Sequence, residues 1–302
     1  MGLWVQDQWD LKTLPLAIGL ALFVAACAPV SPPARFTSIP LPSATLLPTA
    51  EPTATLLPAT ATPHPTVPPI FTPLPLSPTP GPRVCSPLED VSLAEIPQLI
   101  AGNTYQTPQP GRDDGHPGID LAYYLHGTRR TILGLPVHAA AAGRVAAVLP
   151  DRKPYGNLVI IETPLESIPV AWWTVLKWPV TPAPTLIPDA RLTCPTPLET
   201  PQWNPSKRSL YLAYGHLNSL SPLHVGDRVL CGQPIGEVGT TGASVNPHLH
   251  FEARLGPAGA VFTSFGHYDT RTTPLERNNY CLWRVSSWFE LVDPLQILKQ
   301  QP

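Results

Sequence analysis

Gly239–Glu252, GTTGASVNPHLHFE, decides how this chain is read. Glycines and a proline mark a turn, and His248-Leu249-His250-Phe251 then alternates polar with apolar. On a β-strand successive side chains point to opposite faces, so His248 and His250 share one face while Leu249 and Phe251 turn toward a core. Two imidazoles on one face make half a metal site. Zinc takes three or four N, S or O ligands, and a catalytic site leaves one position for water, so further partners are needed.

The obvious candidates lie upstream in Gly115–Leu121, GHPGIDL. His116 and Asp120 are four apart, but Pro117 and Gly118 argue against a helix that would put them on one face. A Pro-Gly tight turn can fold His116 back so that its ring and the Asp120 carboxylate converge. In a straight strand they would lie roughly 13 Å apart, too far for one ion. A further histidine, His216, ends the strand-like run Tyr211–Leu217, YLAYGHL.

Together these segments resemble the M23 family of zinc metallopeptidases, the lysostaphin and LytM type, which cut peptide cross-links of bacterial cell walls. The family order is HxxxD, then a lone His after a Tyr-rich strand, then HxH. All three parts occur here, with further matches at Gly134–Val145, Gly156–Glu162, Val225–Gly242 and Val292–Leu298. The resemblance runs from about Gly111 onward. It implies an all-β fold, an open antiparallel β-sandwich forming a groove with zinc on its floor. It also implies that His116, Asp120 and His250 bind Zn2+ and that His216 and His248 flank the reacting water. Zinc held by two imidazoles and a carboxylate polarises a peptide carbonyl and lowers the pKa of its water to about 7. One neighbouring histidine can then take a proton while the other donates to the developing oxyanion; the residues leave open which does which.

Composition sets the remaining bounds. The 302 residues carry a net charge of -2 with pI near 6.5, so no bulk basic charge points to nucleic acid. Residues 1–27 read as an export signal, with Lys12 before the apolar run Leu14–Ala26, too short to span a bilayer. Val24-Ala25-Ala26-Cys27 resembles a lipobox, which would make Cys27 the acylated first residue of a membrane-anchored envelope lipoprotein; the alternative is an ordinary cleavage site and secretion. The charges of Asp7 and Asp10 depart from the usual positive start. Residues 28–84 form a Pro/Thr-rich stretch, with 17 prolines between Ala28 and Pro82, and are expected to be a disordered, polyproline II-rich linker. Its His64 is incidental.

The domain is expected over 85–302. A short helix is anticipated around Leu88–Ile100 with Ser92 and Glu95 as its capping box, and strands over Thr131–Val137, Gly143–Leu149 and Asn157–Thr163. Residues 164–208 depart from the family pattern as a Pro/Trp-rich insertion with ten prolines and Trp172, Trp173, Trp178 and Trp203. These tryptophans either line a binding surface or fold back as a private core. Gly256–Trp288 is expected to add a strand or two, and Asp293-Pro294 to end the fold. His138 reads as a packing or hydrogen-bonding group, and His126, His224 and His267 as surface residues. Cys85, Cys194, Cys231 and Cys281 permit two disulfides in an exported chain; the preferred pairs are Cys85–Cys281 and Cys194–Cys231.

The function expected is a zinc endopeptidase acting on peptidoglycan cross-links or stems, with peptidoglycan peptides and the membrane as partners. The alternatives are a non-catalytic M23-like module that binds the wall or activates an amidase, and a peptidase aimed at proteins or at a competitor's wall. Nothing in the sequence fixes the oligomeric state.

Overall fold

The computed structural model describes residues 83–109, 111–173, 192–204 and 206–300. The leader with Cys27, the proline-rich stretch and Trp178 lie outside them. Apolar runs bounded by glycine and proline form the strands β1 (Gly118–Leu121), β2 (Pro136–His138), β3 (Gly143–Arg152), β4 (Gly156–Pro164) and β5 (Arg208–Leu217). They continue as β6 (Arg228–Val229), β7 (Pro234–Glu237), β8 (Leu249–Pro257) and β9 (Glu290–Val292). Among the described residues the main sheet is antiparallel, in the order β1-β8-β5-β4-β3-β6. β9 continues β1 along the same edge of β8, pairing Ala253–Leu255 where β1 pairs Leu249–Glu252. β2 and β7 form a separate antiparallel pair. The fold is thus mainly antiparallel β, as the sequence leads one to expect.

β4, β5 and β8 are buried on both faces, which alternation alone does not foretell. On one face Leu249, Phe251 and Leu255 of β8 join Leu212 and Tyr214 of β5 in the larger core. On the other, Tyr211 and Ala213 of β5 pack with Phe262, Phe265, Tyr280 and Trp283. The cover of this second face is largely α2 (Pro274–Arg284), where a strand was expected. Its start signal is legible: Thr273 and Glu276 form a complete capping box around Pro274 at the first turn.

Other local expectations change as well. Leu88 is drawn into an antiparallel bridge with Val137, so only Ile96–Leu99 turns, as a 3-10 helix. Ser92 and Glu95 still bond, through the Ser92 N–H donating to Glu95 Oε2 at 2.8 Å. Of Thr131–Val137 only the end joins β2. Asp293 does not end the fold; it caps α3 (Pro294–Leu298), accepting from the Leu295 N–H at 3.0 Å.

Two disulfides form, but with neither expected pairing. Cys85 bonds Cys231, and Cys194 bonds Cys281. The Cys85 N–H donates to Ala140 O and the Gly232 N–H to Ala139 O, so both flank one strand end. Cys281 is instead buried in α2, against the insertion's return segment. Within the insertion, α1 (Val170–Trp173) sends Trp172 into the larger core. Trp203 meets Trp288 and Phe289 at ring distances of 5.4 and 5.6 Å. These two tryptophans therefore pack inward.

Candidate metal centre

β1 and β8 bring the site together. Their register sets Asp120 opposite His250, and β5 sets Gly215 opposite His250 on the other side. Gly118 permits the approach: a Cβ there would lie 2.4 Å from Phe251 O and 2.9 Å from His250 Cε1. His116 bonds Gln106 through its backbone in an isolated bridge, and the chain bends at Pro117 before β1 begins. The expected hydrogen-bonded turn is thus a bend between two pairings. It achieves the convergence, with His116 Nε2 3.1 Å from Asp120 Oδ1.

That one carboxylate oxygen faces three imidazoles. His250 Nδ1 lies 3.1 Å from it and His248 Nε2 3.5 Å. The Asp120 Oδ2 atom is committed elsewhere, accepting from Asn103 Nδ2 at 2.8 Å. Ligand atoms of His116, Asp120 and His250 all lie within 4.8 Å of one another. Two imidazoles and a carboxylate, nearly enclosed, form a donor set suited to zinc.

Hydrogen bonds set the ring orientations. His248 Nδ1 lies 2.8 Å from Asn246 O and His216 Nδ1 lies 2.8 Å from Thr241 O. Carbonyls only accept, so each ring donates there and, when neutral, keeps its lone pair on Nε2. His250 Nε2 lies 3.2 Å from Glu252 Oε2, which likewise leaves Nδ1 as its acceptor toward Asp120. Lone pairs of two rings and of Asp120 Oδ1 therefore point at one another, an arrangement that requires a proton or a cation between them. Without a cation the proton serves: burial opposes it, yet hydrogen bonds to Asp120 and Glu252 push His250 up to about 9. Burial likewise disfavours the Asp120 charge, but His116 and His250 hold its carboxyl well below the usual range. For His216 burial pulls the pKa down to about 3, with His250 and His248 adding to it. His216 also has a left-handed backbone, φ 60°, unusual for a non-glycine residue. Its ring centroid is 4.6 Å from that of His248.

A groove of about 420 Å3 opens beside Asp120 and His248, walled by Asn103, Tyr123, Tyr124 and Val245. Of the other histidines, His138 lies in β2, His126 is 3.4 Å from Glu95, and His224 is exposed. His267 is not a surface residue: it is buried, stacked on Tyr280 at 4.8 Å and bonded to Leu192 O. Asn103 and Glu252 were not singled out in the sequence. Glu252 could have been found by extending the β8 alternation, whereas nothing in its spacing marks Asn103.

The fold and site define an antiparallel β chain with a His/Asp cluster open to a groove. Residues 205–260, which hold His216, His248 and His250, match the sequence model of Peptidase family M23. Over the residues it covers, this match agrees with the motif-based resemblance. No curated protein sequence matches the chain. The catalytic domain of the antimicrobial peptidase lysostaphin from Staphylococcus simulans is similar at 21% identity and a TM-score of 0.35, over 69% of this chain and 98% of that one. The catalytic domain of the prophage-encoded M23 protein EnpA from Enterococcus faecalis is similar at 21% identity and a TM-score of 0.30, over 57% and 90%.

Proposed function

We propose that this chain is a zinc-dependent endopeptidase that hydrolyses peptide bonds in bacterial peptidoglycan. The observation that carries the reading is Asp120 Oδ1, with imidazole nitrogens of His116, His250 and His248 at 3.1, 3.1 and 3.5 Å. His116, Asp120 and His250 would hold the zinc. When bound, zinc supplies a Lewis acid that polarises the peptide carbonyl and acidifies water. The protein's own part is done by His216 and His248. With Nδ1 of each committed to a carbonyl, Nε2 is the atom that takes up or returns a proton. The groove walled by Tyr123, Tyr124 and Val245 would seat the peptide beside them. Support for a cell-wall substrate comes from the M23 match over 205–260 and from the motif order.

We further propose export and lipid anchoring at Cys27, with the proline-rich stretch as tether. The two disulfides support an oxidising compartment. The test is zinc content of the dialysed full chain, wild type beside Asp120→Ala, with release of peptide from peptidoglycan by wild type and His248→Ala. About one zinc per chain, lost in Asp120→Ala, is expected for a three-ligand site. Hydrolysis should be seen with wild type and be lost in His248→Ala. A folded wild type without zinc, or undiminished hydrolysis by His248→Ala, would overturn the reading.

A further inference from the structure

The same face of β8 that carries His250 carries Glu252 and Arg254, all buried. Glu252 Oε2 accepts from the Tyr155 hydroxyl at 2.7 Å and stands 3.2 Å from His250 Nε2. Its Oε1 accepts from Arg254 Nε. The Tyr155 oxygen is itself met by two groups that can only donate, Trp283 Nε1 at 3.2 Å and Arg284 Nη1 at 3.3 Å. A phenol has one proton; with donors occupying its lone pairs, that proton is aimed at Glu252. Glu252, anchored by Arg254 and Tyr155, then presents a fixed acceptor to His250. The His250 ring is thereby oriented with Nε2–H toward Glu252 and Nδ1 toward Asp120. Arg284 is fixed in turn by its Nη2 donating to Asp113 O at 2.8 Å.

We infer that Tyr155 and Arg284 are positioning residues for the zinc ligand His250, acting through Glu252, and that α2 serves the metal centre as well as the core. The inference rests on the zinc reading above. Outer partners of this kind orient a histidine ligand, and their removal characteristically costs 10–100-fold in metal affinity. None of the three side chains touches the groove, so none is a catalytic residue.

The experiment is zinc affinity of the full chain by chelator competition, for wild type, Glu252→Gln, Tyr155→Phe and the double variant. Thermal melts and the visible spectrum of the cobalt-loaded proteins are recorded beside it. Glu252→Gln should weaken zinc binding by about 10–100-fold, and Tyr155→Phe, which removes one hydroxyl, by about tenfold. The double variant should bind no more weakly than Glu252→Gln, because Tyr155 acts through that residue. A purely structural role would lower the melting temperature and leave affinity and spectrum unchanged. If Glu252→Gln does not fold, Tyr155→Phe decides alone: wild-type affinity and an unaltered cobalt spectrum would overturn the inference. Zinc absent from the wild type would overturn the zinc reading and this inference together, whereas zinc bound alike by wild type and variants overturns only the inference.

Discussion

At Asp120 the charge of one side chain is divided between two tasks: Oδ2 is tied to Asn103 and Oδ1 meets the histidines. The division depends on β1 lying close against β8, which depends on Gly118. Adding a methyl group there would press on Phe251 O, which is backbone and cannot swing away. Gly118→Ala is therefore expected to push β1 outward, separate Asp120 from His250 and weaken zinc retention on dialysis. Retention equal to wild type would show that the register tolerates the shift. His116 with Asp120 and His248 with His250 were legible as candidates because the spacing within each pair is local, whereas the lone His216 took its place from the motif order. Asn103 was not, since its partner is 17 residues away across a loop.

At the scale of the element, α2 shows how a sheet with two buried faces obtains its second cover. Its first turn is secured by the Thr273–Glu276 box, and Glu276 also receives Arg152 Nε at 2.9 Å. Burial alone would raise the Glu276 pKa. Hydrogen bonds from Thr273 and the Arg152 pair outweigh it, and the folded-state pKa is lowered. A lowered carboxyl pKa contributes stability that is full above the unfolded value, about 4.3, and is lost as pH falls through the folded value. Glu276→Gln should therefore be less stable than wild type at neutral pH and lose less on acidification from pH 5 to 3. Urea melts at each pH measure this, and parallel curves for both proteins would contradict it. The helix was missed although its box and proline stand in the sequence.

Across the whole molecule the disulfides join segments that no short-range pattern connects. Cys194 and Cys281 are 87 residues apart and tie the insertion's return segment to α2. By loop-closure entropy such a link contributes about 4–5 kcal/mol through the unfolded chain. Cys194→Ser with Cys281→Ser is expected to lower unfolding free energy by about that amount in guanidinium melts. A loss below about 1 kcal/mol would mean that the insertion is held by Trp203 and its neighbours instead. No helix among the described residues is long and apolar enough to cross a membrane.

The sequence by itself determined the strand alternation at HxH, the candidate ligand set, the antiparallel β character and the number of disulfides. The alternation and the β character follow from residue type and spacing within a short window, where backbone geometry dictates which way side chains point; the ligand set and the antiparallel arrangement came with the resemblance to the M23 motifs, and four cysteines permit two disulfides. Only the tertiary structure decided the disulfide partners, the burial of His267, the second core under α2 and the line from Arg284 through Tyr155 and Glu252 to His250. Those depend on which distant surfaces meet, and packing selects them from the many pairings that the same local patterns allow.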